Sequence, residues 1–359
     1  MVRVLAAQGH TVELLTYPQG DDLALAGVRH RRSLSLPVGR VRAGPSFAKL
    51  LLDVPFMARA WWRMAVGRFD VVHAVEEAAH LAAPLARLLG LPLVVDVDSS
   101  IPAQMRESGF AARGPLLWAA EALEGHALRH SAAVVTVCSS LTEGVRGRVP
   151  HGRVFQVEDP PLAAAAASPA DVLALAASLG LDDRPVVLYS GNFERYQGVE
   201  LLVDAAATVP EAQFLFMGGE PDQVARMRAG SARGVACVFA GKRATGELPA
   251  FLGAAAMVVS PRVSGANTPF KVYTYLASGR PMVATRILTH TQLLDDTVAW
   301  LVEPTPAGLA AGIRSVLADP GEARRRAARG LALIAREYSE ARHAEKVAAA
   351  YAAIAAAIR

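Results

Sequence analysis

Cysteine is nearly absent from this chain of 359 residues. Cys138 and Cys237 are its two thiols, and they stand in apolar runs far apart in the sequence. That spacing supports neither a disulfide framework nor a cysteine metal cluster. Long apolar runs are missing too: hydrophobic residues make up 52% of the chain, but much of that is alanine. No stretch approaches the roughly 20 residues needed to cross a bilayer. The start does not read as a secretory signal, so the expected location is the cytoplasm. No metal-ligand cluster is legible, and no cofactor or metal is expected. The formal charge of +4 favours anionic partners, but no RNA- or DNA-binding motif accompanies it, so nucleic acid is not expected among them.

What is present is length for two domains and an alternation of short apolar runs with helical stretches. After a helical Met1–Gln8 and a strand over 11–16, apolar runs fall at 70–74, 92–96, 133–137 and 154–157. A Pro- and Ala-rich passage over 158–167 marks a domain edge. A second series follows at 185–190, 213–217, 235–239, 257–260, 281–285 and 299–302. Buried strands alternating with helices predict two doubly wound parallel sheets. The expected domains are 1–162 and 163–337, with a last helix, 338–359, packing back on the first. Ligands of such sheets bind at the carboxyl ends of the strands.

One stretch organises the second half. Ser264, Gly265, Asn267 and Thr268 form a polar loop after the strand ending at Ser260, and Thr268-Pro269 reads as the cap and first residue of a short helix ended by Gly279. Free amides at a helix start suit a phosphate. Lys271 in the first turn opposes the helix dipole, and a bound diphosphate would give it a reason to be there; a solvated lysine on an ordinary turn is the plainer alternative. Further glycine or polar loops follow other strands: Gly191-Asn192 with Arg195 and Gln197-Gly198, then Gly218-Gly219, then Lys242-Arg243. Together they read as a binding edge. In the first half, His73 and Glu76 close a strand; they suit either a site or a satisfied core histidine and a first-turn acid.

These motifs resemble the nucleotide-sugar-dependent glycosyltransferases of the GT-B fold, in the retaining group 1 (family 4) type, over essentially the whole chain. The resemblance implies two Rossmann-like domains facing a cleft, the second binding a UDP- or GDP-linked sugar. It implies cofactor-type contacts from Gly191, Asn192, Arg195, Gln197, Gly219, Lys242, Arg243, Ser264, Gly265, Asn267, Thr268 and Thr274, and catalytic roles for His73, Glu76 and Lys271. Asp70-Val-Val-His73-Ala-Val-Glu76-Glu77 resembles the family's pattern on the acceptor side.

The departures are also specific. The family's two glutamates around the anion loop are replaced by Ala266 and Thr274, and Arg and Lys of the first loop by Asn192 and Gln197. Lys271, with Arg195 or Arg262, is left to offset a leaving diphosphate. The family's first strand and glycine loop have no counterpart ahead of Met1, so the N-terminal sheet is expected to lack its first strand. A degenerate protein that binds a nucleotide or a partner without transfer is the alternative reading.

Segment 37–68 mixes Arg40, Arg42, Lys49, Arg59, Arg63 and Arg68 with Phe47, Phe56, Trp61 and Trp62. Over 46–66 this suits a membrane surface or a lipid-linked acceptor, and so a peripheral place at the inner face of the membrane. An amphipathic helix packing its aromatics on the sheet fits equally.

Overall fold

The computed structural model describes residues 1–20, 22, 24–37, 47–109, 112–149, 151–162, 166–231 and 236–358. The chain divides into two compact units, Met1–Glu158 with Ala341–Arg359, and Asp159–Glu340.

The first unit begins with α1 (Val2–Ala7), β1 (Val12–Thr16), β2 (Val28–Arg32) and α2 (Phe47–Val66). It continues through β3 (Val72–Val75), α3 (Glu77–Leu88), β4 (Leu93–Val97), α4 (Ile101–Ser108), α5 (Pro115–His130), β5 (Ala133–Thr136), α6 (Ser139–Arg146) and β6 (Val154–Gln156). Strands β3, β4, β5 and β6 lie side by side in that order, all parallel, while β1 and β2 form a separate parallel pair. The β2 strand went unread in the sequence because Val28-Arg-His-Arg-Arg32 has no apolar face. Glu13 on β1 holds it instead, pairing with Arg31 at 3.1 Å.

The second unit runs through α7 (Pro169–Leu179), β7 (Val186–Ser190), α8 (Val199–Ala206), β8 (Gln213–Met217), α9 (Pro221–Gly230), β9 (Cys237–Gly241) and α10 (Leu248–Ala254). Then come β10 (Met257–Ser260), α11 (Phe270–Ala277), β11 (Met282–Thr285), α12 (Leu288–Thr291), β12 (Trp300–Val302), α13 (Pro306–Ala318) and α14 (Pro320–Glu337). Three of its helices open on a side-chain cap followed by proline, at Ser168-Pro169, Thr305-Pro306 and Asp319-Pro320; each proline gives up an amide that the helix start could not have used. Every residue of β7, β8 and β10 is buried, because helices cover both faces of the sheet.

The strand order of this parallel sheet is β12-β11-β10-β7-β8-β9. From β7 the chain builds outward through β8 and β9, then returns to the other side of β7 with β10. The order therefore reverses between β7 and β10, the kind of place where open parallel sheets bind ligands at their carboxyl ends. Gly191 follows β7, and the polar loop 261–269 follows β10.

The last helix, α15 (Glu340–Ile358), belongs to the first unit. Its Val347 and Ile354 are buried with Leu5, Val94, Ala133, Val135 and Val157. His343 Nδ1 donates to the carbonyl of Glu158 at 2.9 Å, and Lys346 pairs with the Glu158 carboxylate at 2.5 Å.

Candidate active site

At the reversal point the glycines are required by close approach. Gly191 has φ +142, and a Cβ there would lie 2.7 Å from Lys271 Nζ. A Cβ on Gly218 would meet the Gly191 carbonyl oxygen at 2.0 Å, and one on Gly198 the Pro261 carbonyl oxygen at 2.2 Å. Gly219 lies against the Phe193 ring. The turns after β7, β8 and β10 thus interlock with no room for side chains.

Lys271 stands in the first turn of α11. Its ammonium donates to Gln197 Oε1 at 2.9 Å and lies 4.0 Å from the centre of the Tyr189 ring. Among the described residues no carboxylate pairs with it. Desolvation pushes its pKa well below the ordinary lysine value, and the charge of Arg262 pushes the same way. A cation so placed gains from an anion brought to it.

Arg262 does not wait for a ligand in the way the sequence suggested. It is buried, and its guanidinium donates to the Ser264 carbonyl at 2.7 Å, to the Asn267 carbonyl at 3.3 Å and to Asn267 Oδ1 at 2.9 Å, while stacking over Tyr196. Arg262 therefore shapes the loop from inside. Gln292 holds the same loop by donating to the Ala266 carbonyl at 3.0 Å. Behind it, buried His290 bonds Ser260 Oγ at 2.9 Å and the Thr285 carbonyl at 2.7 Å; burial holds its pKa down at about 4, so it stays neutral.

The helix start differs by one residue from the sequence reading. Pro269 occupies the cap position and Phe270 is the first helical residue, with no side-chain cap; Thr268 is buried one position earlier. Thr274, expected among the donor contacts, is also buried, and its hydroxyl accepts the amide of Leu162 at 3.1 Å. Asn192 and Arg195 are exposed, and Asn192 Oδ1 accepts the Glu194 amide at 3.2 Å. Lys242 and Arg243 follow β9 at the sheet edge, paired with Glu220 at 3.0 Å and Glu247 at 3.6 Å. The structure thus gathers Gly191, Gln197, Lys271, Ser264, Gly265 and Asn267, and leaves Lys242 and Arg243 two strands away from β7.

The first unit has its own cluster at the ends of β3 and β4. His73 Nε2 lies 2.9 Å from Asp96 Oδ2, and Nδ1 lies 2.6 Å from the Tyr351 hydroxyl. Among the described residues, Asp96 Oδ1 is buried without a hydrogen-bond partner. Glu76 has φ +48 and ψ −124, and among the described residues it is the one side-chain-bearing residue with positive φ. Burial, with the neighbouring charges of Glu77 and Asp96, raises its pKa, although Ser99 donates a hydrogen bond to its carboxylate. Beside it Lys49 pairs with Glu77 at 2.5 Å, and Tyr17 donates to Asp53.

Sequence reasoning passed over Asp96, Tyr351 and Tyr17, and read Lys49 as a cation for a membrane surface where it pairs with Glu77. Asp96 carried a signal, since it is an acid inside the otherwise apolar Leu93-Val-Val-Asp-Val97. Tyr351 carried none, because its partner is 278 positions away.

In α2, Trp62, Leu51, Val54 and Val66 are exposed, while the Trp61 indole donates to the Leu81 carbonyl at 3.1 Å. Arg63 is bound by Glu13 at 2.6 and 3.0 Å. Arg40 and Arg42 lie outside the described residues. No helix among these residues is long and apolar enough to cross a membrane.

Known proteins resemble this chain in sequence and in fold. Residues 184–319 match the family described as glycosyl transferases group 1, and residues 1–160 match the glycosyl transferase 4-like domain. The chain is 28% identical to an alpha-D-kanosaminyltransferase of Streptomyces kanamyceticus over 285 residues, 74% of this chain and 72% of that protein. Its structure superposes on sucrose-phosphate synthase from Thermosynechococcus elongatus with a TM-score of 0.79 at 21% identity, covering 99% and 92% of the two chains. The Anabaena protein HepE in complex with UDP-glucose gives a TM-score of 0.71 at 16% identity, covering 96% of this chain and all of that one. With both of its units matched and two parallel-sheet domains of the GT-B type, this chain belongs to the group 1 glycosyltransferases.

Proposed function

We propose that this chain transfers a sugar from a nucleoside diphosphate sugar, UDP- or GDP-linked, to an acceptor hydroxyl in glycan, lipid-linked saccharide or glycoconjugate synthesis. The observation that carries the reading is the ammonium of Lys271, desolvated beside Gly191 with no carboxylate partner among the described residues, at the carboxyl end of β7 and β10. The complex of HepE with UDP-glucose supports a nucleotide-sugar donor.

In the step itself, the bond between the anomeric carbon and the β-phosphate oxygen breaks, and its electron pair stays on the diphosphate. The acceptor oxygen forms the new bond to that carbon and passes its proton to the Glu76 carboxylate. Lys271 and the amides of the Ser264–Asn267 loop offset the charge growing on the diphosphate. Glu76, whose pKa is raised by burial, binds the acceptor hydroxyl on the first unit. Retention of anomeric configuration belongs to the proposal and rests on the family alone. So does metal independence, motivated by a donor site whose charged group is a cation. The exposed Leu51, Val54, Trp62 and Val66 of α2 support a membrane surface as a further partner.

Isothermal titration of the whole chain with UDP and with GDP, in magnesium and in EDTA, tests the reading. We expect one of the two nucleotides to bind with similar affinity in both media. Binding of neither by a folded sample removes the donor site; binding with no hydrolysis or transfer across UDP- and GDP-sugars leaves a nucleotide-binding protein without transfer.

A further inference from the structure

Behind Glu76 a line of hydrogen bonds reaches the last helix of the chain. An ionised carboxylate can only accept, so the 2.9 Å contact to Asp96 places a proton on His73 Nε2. Nδ1 then presents a lone pair, and the Tyr351 hydroxyl donates to it across 2.6 Å. The two rings are nearly parallel, 12° apart, with centroids separated by 6.1 Å. Both nitrogens are engaged, which leaves His73 no atom with which to meet a substrate. Its effect falls on Asp96. The Asp96 carbonyl in turn accepts the Glu76 amide at 2.9 Å, at the residue whose backbone stands at φ +48 and ψ −124. A side-chain-bearing residue keeps such a conformation only where its surroundings enforce it.

We propose that Tyr351 is a positioning residue for the site on the first unit: it fixes His73 as the Nε2–H tautomer, His73 fixes Asp96, and Asp96 holds the backbone that presents the Glu76 carboxylate. The proposal rests on the reading of Glu76 as the acceptor-binding group. It makes His73 a positioning residue also. The charged and titratable groups around this line are Glu77 on α3, Lys49 and Asp53 on α2, Tyr17 after β1, and His10, whose ring centre is 6.3 Å from that of Tyr351. None of them supplies the bond to Nδ1 that Tyr351 makes.

The test uses the full chain with labelled histidine and glutamate. The ring nitrogens of His73, identified by loss of their signals in His73→Gln, report the tautomer by NMR, and the carboxyl carbon of Glu76, identified with Glu76→Gln, reports its titration midpoint. We expect a protonated Nε2 and bare Nδ1 in the wild type. In Tyr351→Phe we expect a mixture of tautomers and a displaced Glu76 midpoint, with UDP or GDP affinity by calorimetry unchanged. A protonated Nδ1 in the wild type, an unmoved Glu76 midpoint in Tyr351→Phe, or loss by the folded variant of the nucleotide, UDP or GDP, that the wild type binds overturns the proposal. Should Tyr351→Phe fail to fold, Asp96→Asn decides: with Tyr351 still donating to Nδ1 the Nε2–H tautomer should persist there, and its loss would assign the tautomer to Asp96 alone and overturn the proposal. Absence of both UDP and GDP binding in the wild type would sink the donor reading and leave the NMR result to decide this one.

Discussion

A methyl group on Gly191 would lie 2.7 Å from Nζ of Lys271, well inside contact distance. The turn after β7 and the first turn of α11 are therefore one construction, in which the absent side chain of one residue is the space taken by the ammonium of another. Gly191→Ala should displace Lys271 and strain a backbone at φ +142. We expect UDP or GDP affinity to fall by about tenfold or more, roughly 1.4 kcal/mol, with modest loss of stability. Calorimetric titration beside thermal melting measures both, and an unchanged affinity would place the diphosphate away from this turn.

Lys271→Met should separate catalysis from folding. The stem survives, and a desolvated cation with no carboxylate partner among the described residues is removed, so the melting temperature should hold or rise. Turnover should lose on the order of 2–4 kcal/mol of transition-state stabilisation, with a smaller loss of donor affinity. Donor hydrolysis and nucleotide titration on the same samples check the split; equal turnover in both proteins rules the assignment out.

The depressed pKa of Lys271 has a sign that can be measured. Between its folded value and the unfolded value near ~10.4, the unfolded chain holds more protons on this group than the folded one. Its contribution therefore disfavours folding most fully at pH below the folded value and is relieved as pH rises toward the unfolded one. A bound diphosphate favours the charged amine, so binding should take up protons above the folded pKa and weaken as pH rises further. Titrations in buffers of different ionisation enthalpy give the proton count. Uptake that persists in Lys271→Met would assign it to another group.

The basic content of α2 is smaller than its sequence suggests, since Arg63 is bound by Glu13 and Lys49 by Glu77. Attachment to vesicles should then depend on the exposed apolar residues more than on salt. Val54→Ser/Trp62→Ser should pellet less than wild type with anionic vesicles, at both low and physiological salt. Equal pelleting of the two would remove the membrane from the list of partners.

Gln213–Met217 and Met257–Ser260 are strands with the bounds read from the sequence, because apolar runs flanked by polar turns declare a strand buried on both faces. The glycine turns were legible for a related reason: glycine at a strand end marks a backbone that takes positive φ or passes close to its neighbours, where a side chain would not fit. The start of α11 was misread by one residue, since Thr268 looks like a cap but is buried ahead of Pro269. Arg262 was read as a free cation because nothing local shows that it folds back onto Ser264 and Asn267. Contacts such as Thr274 with Leu162, or His73 with Tyr351, join distant positions through the fold and leave no local pattern.

The placement of α15 bears on the order in which the chain acquires its structure during synthesis. Residues 159–340 form an uninterrupted unit, whereas Leu5, Val94 and Val135 share their core with Val347 and Ile354. A ribosome therefore presents the complete second unit before the first has its final helix, and the early-made sheet waits with an apolar face uncovered. A chain stopped after Glu340 should keep a cooperative melting transition from the second unit while the first binds an apolar dye. Supplying 341–359 as a separate peptide should suppress that dye binding, and a first unit that stays closed without it would show that the order does not matter.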